Sequence, residues 1–194
     1  MSKSKWLVAG MIVACLAGGQ AHAETGLPGG ASTLQETYQS WQLTCKAMPQ
    51  PSDSTATAAK DPRPADAVRP SCSIAQVQLD QASRKLLLSV ELRLSDAKPR
   101  SKLEGVIVLP FGLAVAKPIV MKSEDKAVQD LAITTCLPVG CIVPLTPTPE
   151  VIAVLGKGKP LTIQAQDAEG RAVSFAIQST GFPEASKRLQ SLVN

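Results

Sequence analysis

Leu86, Leu88, Val90, Leu92 and Leu94 alternate with Leu87, Ser89, Glu91 and Arg93. Only an extended strand turns a period of two into one apolar face. The same period returns in Leu161, Ile163 and Ala165, set against Thr162, Gln164 and Gln166, and again in Val173, Phe175 and Ile177. Asp167-Ala168-Glu169-Gly170 separates those two runs, so Leu161 to Ile177 reads as a β-hairpin. Ser73 to Leu79, turned by Asp80 to Ser83, supplies a partner for Leu86 to Leu94. Tyr38 to Cys45 reads as a first strand. Val106 to Leu109, Leu113 to Val115, Ile119 to Met121 and Gln129 to Thr135 read as further short ones. Two short helices interrupt the pattern. Thr148-Pro149-Glu150 combines an N-cap, a first-turn proline and an acid ahead of Val151 to Leu155. Pro183 to Val193 is the second, with Phe182 placed to pack from just before it. Many short strands with Pro/Gly turns and few helices predict a mainly β, single-domain sandwich or open barrel. The 194 residues suit one domain.

The first residues obey a different logic. Lys3 and Lys5 precede an apolar or small run from Trp6 to Gly19, and Ala21-His22-Ala23 places small residues at −3 and −1 of a cleavage site. Positive start, apolar middle and A-x-A end are the parts of a secretory signal peptide, assigned to residues 1–23 with cleavage after Ala23. The run is shorter than the ~20 residues of a membrane-spanning helix. Ile12-Val13-Ala14-Cys15 loosely fits a lipoprotein box that would lipidate Cys15, but the A-x-A site is better formed. The leader implies an exported protein, secreted or held in the cell envelope.

Removing the leader takes away the one histidine, His22, and leaves 18 basic against 16 acidic residues. A chain without histidine cannot build a Ser-His-Asp or Cys-His site, nor a histidine-ligated metal. Near-neutral charge gives no footprint for nucleic acid. No cofactor, metal or catalytic residue is indicated, and no transmembrane segment comes after the leader. Residues 24–37 read as a flexible N-terminal lead to a β-rich domain at 38–194. Met48 to Ser71, with five prolines and hardly any large apolar side chain, reads as a disordered or extended loop.

Four cysteines remain, Cys45, Cys72, Cys136 and Cys141. An even count in an exported chain reads as two disulfides. Cys136 and Cys141 enclose Leu-Pro-Val-Gly, whose Pro138 and Gly140 favour a tight turn, which leaves Cys45 with Cys72. Redox catalysis would favour a Cys-x-x-Cys frame, and zinc a C-x2-C spacing; neither is present.

Other residues admit a sharp and a bland reading. Pro110-Phe111-Gly112 could be a ligand-contact loop, but such a segment is more often a strand bend with a core aromatic. Trp41 reads as core rather than as an exposed contact. Glu150, Asp167 and Glu169 sit at a helix start and in a turn, where acids serve local needs. Lys157, Lys159, Lys187 and Arg188 read as a solvated face rather than an anion patch. Gly156-Lys157-Gly158-Lys159 lacks the phosphate-loop frame.

One ordered set of residues goes further. Trp41-x3-Cys45, Cys72, Leu109-Pro110-Phe111-Gly112, Cys136-x3-Gly140-Cys141 and Gly181-Phe182 before a short amphipathic helix together resemble the invasion-associated locus B (IalB) family of exported bacterial proteins. The resemblance runs from Trp41 to about Leu192 and implies a periplasmic or surface-associated β-rich domain. It brings no catalytic motif, and the Pro-rich segment is longer than the family pattern. Two function classes are consistent with these features. One is a non-enzymatic accessory or binding protein of the envelope with an unknown protein partner, possible host-cell contact included. The alternative is a periplasmic thiol-disulfide enzyme using Cys136 and Cys141.

Overall fold

The computed structural model describes residues 26–49, 68–96 and 102–193. Residues 1–23 and Cys15 therefore lie outside the described residues, as does 50–67 of the Pro-rich segment.

Alternation becomes two antiparallel sheets. Strands β1 (Thr33–Tyr38), β2 (Trp41–Pro49), β3 (Val68–Leu79), β4 (Leu86–Leu94) and β5 (Leu103–Leu109) succeed one another across the larger sheet. The chain then crosses to a second sheet for β6 (Ile119–Ser123) and β7 (Lys126–Leu131), and returns as β8 (Thr135–Leu137) and β9 (Gly140–Leu145), with β9 beside β5. Helix α1 (Pro149–Gly156) leads back to β10 (Leu161–Gln166) and β11 (Ala172–Ile177), and α2 (Phe182–Val193) comes last. The larger sheet runs β1-β2-β3-β4-β5-β9-β8 and the smaller β11-β10-β6-β7.

One face of each sheet supplies the core. Leu43 and Cys45 of β2, Ile74 of β3, Leu88, Val90 and Leu92 of β4, and Ile107 and Leu109 of β5 are buried against Ile119, Met121, Leu161 and Ile163 of the smaller sheet. Helix α2 packs across β1 to β4 and lends Phe182, Ala185 and Leu189 to the same core. Burying a Leu, Ile or Phe side chain contributes about 1.5–3 kcal/mol, so this contiguous cluster dominates stability. In α1 the Val151 amide donates to Thr148 Oγ1 at 3.2 Å, so the N-cap satisfies one of the amides that a helix start leaves without a partner.

Several sequence expectations need correction. Residues 24–37 are not all a loose lead: Thr33–Tyr38 is β1, paired residue for residue with β2 from Thr33↔Lys46 to Tyr38↔Trp41, and Leu27 is fully buried. The first pairing thus begins before Tyr38, and Trp41 opens the second strand. The Pro-rich segment is also shorter than 48–71, because Met48 and Pro49 end β2 while Val68 to Ser71 begin β3. Pro70 is tolerated there for a specific reason. Pairing to β4 starts only at Ser73↔Arg93, so at Pro70 that side of β3 is an edge, where a missing N–H breaks no ladder bond. Pro144 in β9 stands likewise beyond the reach of β8. Leu113 forms only an isolated bridge to Asp167.

Candidate functional site

Two groups of the residues singled out in the sequence lie in places of opposite character. The first is a buried seam joining the β1–β2 turn to the start of α2. Trp41 is 1% exposed and meets Phe182 edge to face, centroids 5.3 Å apart. Its Nε1–H donates to the Gln178 carbonyl at 2.8 Å. Gln76, also buried, donates from Nε2 to the same carbonyl at 3.1 Å, and its Oε1 accepts the Gln178 amide at 2.9 Å and Gln78 Nε2 at 2.8 Å. A buried amide with its partners in place stiffens a core rather than weakening it. Gly181 has φ 87°, and a Cβ there would stand 1.9 Å from the Tyr38 carbonyl oxygen, so the close approach requires glycine. Outside the seam, Arg188 of α2 grips Glu36 of β1 through Nε–Oε2 and Nη2–Oε1 contacts, both 2.9 Å. Tyr38 donates to Glu36 Oε2 at 2.7 Å. The Arg188 guanidinium, with the Tyr38 hydroxyl, holds the Glu36 carboxyl below the usual range, while Glu36 raises both Tyr38 and Arg188. Every polar group named in this seam is engaged internally, which makes it a structural clasp.

The second place is a corner of the larger sheet. Leu109↔Cys141 is the last pair between β5 and β9; continuing the register sets Pro110 opposite Gly140 and Phe111 opposite Val139. Gly140 has φ 138°, and a Cβ would meet the Leu109 carbonyl oxygen at 2.5 Å, so the β8–β9 turn presses directly on the end of β5. Phe111 is 61% exposed and Val139 64%, with Leu137 and Val115 also exposed. Phe111 is thus not a core aromatic, which overturns the bland reading of Pro110-Phe111-Gly112. On the outward face of the same end, Val77, Leu87, Val108, Ile142 and Leu137 lie on β3, β4, β5, β9 and β8, and Val77 and Leu87 are exposed. The outward face is therefore apolar at one end. At the other end a shallow groove of about 570 Å³ is lined by Glu91, Arg93, Glu104, Gly105, Val106, Pro144, Leu145 and Thr146. There Arg93 pairs with Glu104 at 3.0 Å. A contiguous exposed apolar region is a mark of an interaction site.

Both disulfides are in place, one in the core and one at the corner. Cys45 and Cys72 face each other across β2 and β3, buried in the core. Cys136 and Cys141 face each other across the β8–β9 hairpin, with Cys141 buried and Cys136 exposed. The acids hold local posts: Glu150 pairs with Lys126 at 2.7 Å, and Asp167 and Glu169 both pair with Arg171. The cations are dispersed, Lys159 on Glu124 and Arg188 on Glu36. Among the described residues no group of three or more His, Cys, Asp or Glu is placed to hold a metal ion. No described helix is long and apolar enough to cross a membrane.

Leu137, Val139, Val77 and Leu87 escape a reading of the sequence, though all but Val77 leave a trace. Cys136-Leu-Pro-Val-Gly-Cys141 carries two large apolar residues on a turn, where polar ones are usual. Leu86-Leu87-Leu88 breaks the alternation by adding an apolar residue to the outward face.

A family model for the Invasion associated locus B (IalB) protein matches residues 41–190. An invasion protein B homolog of Brucella abortus is 34% identical over 167 residues, covering 86% of this chain and 84% of that protein. Invasion protein B of Bartonella bacilliformis is 30% identical over 170 residues, covering 86% and 80%. The crystal structure of invasion associated protein b from Bartonella henselae superposes with a TM-score of 0.64 over 82% of this chain and 96% of that one, at 24% identity, which bears on the fold. The residues that carry the resemblance lie within the matched range and fall in both regions, Trp41 and Gly181-Phe182 in the seam, Leu109 to Gly112 and the Cys136–Cys141 hairpin at the corner, and the chain belongs to the invasion associated locus B family.

Proposed function

We propose that the chain is an exported, non-enzymatic binding protein of the bacterial envelope, released from its leader after Ala23, whose contact surface is the apolar corner around Phe111, Leu137 and Val139. The observation that carries this reading is the concentration of exposed apolar side chains, Phe111, Leu137, Val139, Val77 and Leu87, at one end of the larger sheet, while the seam and core are internally satisfied. Leaving such side chains in water is costly unless a partner covers them. The relatives' names, invasion protein B and its homolog, suggest that the partner belongs to host-cell contact. A histidine-free mature chain and acids committed to Lys126 and Arg171 fit a protein that works without acid–base chemistry.

The test compares capture of envelope and host-cell proteins by the wild-type mature chain and by a Phe111→Ser/Val139→Ser variant. Both positions are exposed, so the variant keeps its fold, which circular dichroism checks. A partner held by the wild type and lost from the variant is expected; equal capture by both would remove the corner from the binding surface. The competing reading, a thiol-disulfide enzyme, draws on the exposure of Cys136. Insulin reduction by the wild type, absent from a Cys136→Ser/Cys141→Ser variant, would favour it.

A further inference from the structure

We propose that the Cys136–Cys141 bond is a selective site of thiol-disulfide exchange, opened by a protein dithiol, and that its opening unlatches the Thr134–Val139 segment while the domain stays folded. In this role the bond is a substrate rather than a catalyst.

Access separates the two bridges. Thr134 to Val139 is exposed at every residue, Cys136 included. Cys45 and Cys72 are 0% and 7% exposed and belong to the contiguous core, from which Cys141 is absent although buried. A thiolate must reach a sulfur to attack it, so exchange at Cys136 needs no unfolding and exchange at Cys45 or Cys72 does.

Topology sets how far the opening spreads. Among the described residues β8 is the outer strand of the larger sheet and pairs only with β9, through Thr135↔Ile142, Cys136↔Cys141 and Leu137↔Gly140. A three-residue strand without a covered face is marginal once its bridge is gone. β9 stays, because its pairs with β5 run from Gly105↔Leu145 to Leu109↔Cys141 and its Val143 and Leu145 are core residues. Opening therefore stops at the hairpin. It carries Leu137 and Val139 away from Phe111 and Pro110; that this would weaken partner binding rests on the apolar corner being the contact surface proposed above.

The exchange balances. A thiolate of the dithiol attacks Cys136 Sγ, the Sγ–Sγ bond breaks, and Cys141 leaves as a thiolate that takes up a proton. The second thiol of the reductant then attacks the mixed disulfide and releases Cys136. Two electrons pass to the bridge, and the reductant ends as its own disulfide.

The experiment treats the mature protein with graded dithiothreitol under native conditions, quenches with iodoacetamide, and maps peptides by mass spectrometry alongside hydrogen exchange. Expected is a window in which Cys136 and Cys141 are alkylated while Cys45 and Cys72 remain linked. In that window amide exchange rises at least tenfold across Thr134–Val139 and is unchanged in β2 to β4. The Cys136→Ser/Cys141→Ser variant should show the same local exchange without reductant. Opening of both bridges at one rate, or persistence of Cys136–Cys141 until the chain unfolds, would overturn the proposal. So would unchanged exchange in the reduced hairpin. None of these readouts depends on a binding partner, so loss of the binding reading leaves them intact.

Discussion

The seam and the corner are built from similar parts: an aromatic side chain, a glycine pressed against a neighbouring carbonyl, and a strand that carries one half of a disulfide. They differ in where those parts point. Trp41 and Phe182 face each other, Gly181 lets α2 close on the Tyr38 carbonyl, and Cys45–Cys72 lies in the core. Phe111 faces solvent, Gly140 lets a turn close on Leu109, and Cys136 is exposed. The same devices thus hold a core together in one place and hold a surface in shape in the other. The distinction comes from the second layer: α2 covers β1 to β4, while β8 at the far edge packs mainly on β9.

Substitutions sharpen that contrast. Phe182→Ala is expected to have the largest effect, a loss of about 4 kcal/mol, since it empties a fully buried aromatic site and removes the partner of Trp41. Urea unfolding of the variant checks it, and a loss under about 1 kcal/mol would mean that the seam tolerates a void. The bridges should rank next. Their sequence separations are 27 and 5 residues, for which chain entropy gives about 3.5 kcal/mol for Cys45–Cys72 and about 2 kcal/mol for Cys136–Cys141. Burial widens the gap, because Cys45→Ala/Cys72→Ala also leaves core volume unfilled. Thermal melts of the two double variants should keep that order, and equal losses would dissolve the distinction between core and edge.

A smaller effect is expected at the clasp between β1 and α2. Glu36→Gln should cost about 1 kcal/mol at neutral pH, modest because both partners remain partly in water. Glu36 is lowered in the folded chain, chiefly by its bonds to Arg188 and then by Tyr38. Its contribution is therefore complete above the range where an unfolded carboxylate titrates. It fades as pH falls through the lowered folded value, while Arg188 stays charged. The stability difference between wild type and variant should shrink from neutral pH to about pH 3, and a constant difference would assign it to packing. Smallest of all, Phe111→Ser should change stability by no more than about 0.5 kcal/mol, as for exposed positions generally. It should nevertheless reduce partner capture. A large loss of stability would show that Phe111 supports the fold.

What is legible in the sequence divides along the same line. Leu86–Leu94 and the Leu161–Ile177 hairpin announce themselves because each buries one face and wets the other. β1 escapes because Thr33-Leu-Gln-Glu-Thr-Tyr38 turns only Leu34, Glu36 and Tyr38 toward partial cover, and Glu36 is held there by an arginine 152 residues away. No local pattern encodes such a partner. Gln76 is equally silent, since its bonds to Gln178 cross 102 residues. β8 and β9 are short and interrupted by a bridge and a proline, so their alternation never accumulates. At the corner the residues are visible but their exposure is not. Whether a Phe beside Gly points inward depends on whether another layer arrives above it, and Phe111 stays open to solvent.

The grip of Arg188 on Glu36, and of Phe182 on Trp41, has a consequence for the order of events during folding. Contacts that span 141 to 152 positions along the chain are the slowest to meet, because the intervening polymer must be brought to heel before they add any stability. A nascent polypeptide emerging amino-end first can zip β1 to β4 together, but Trp41 and the part of those strands that α2 covers stay bare until α2 arrives. Until then the half-built protein is a sticky sheet lacking its cover. Any machinery that handles it during synthesis meets a sheet still missing this cover until α2 is complete, and a truncation removing Phe182 to Val193 would leave it permanently in that condition.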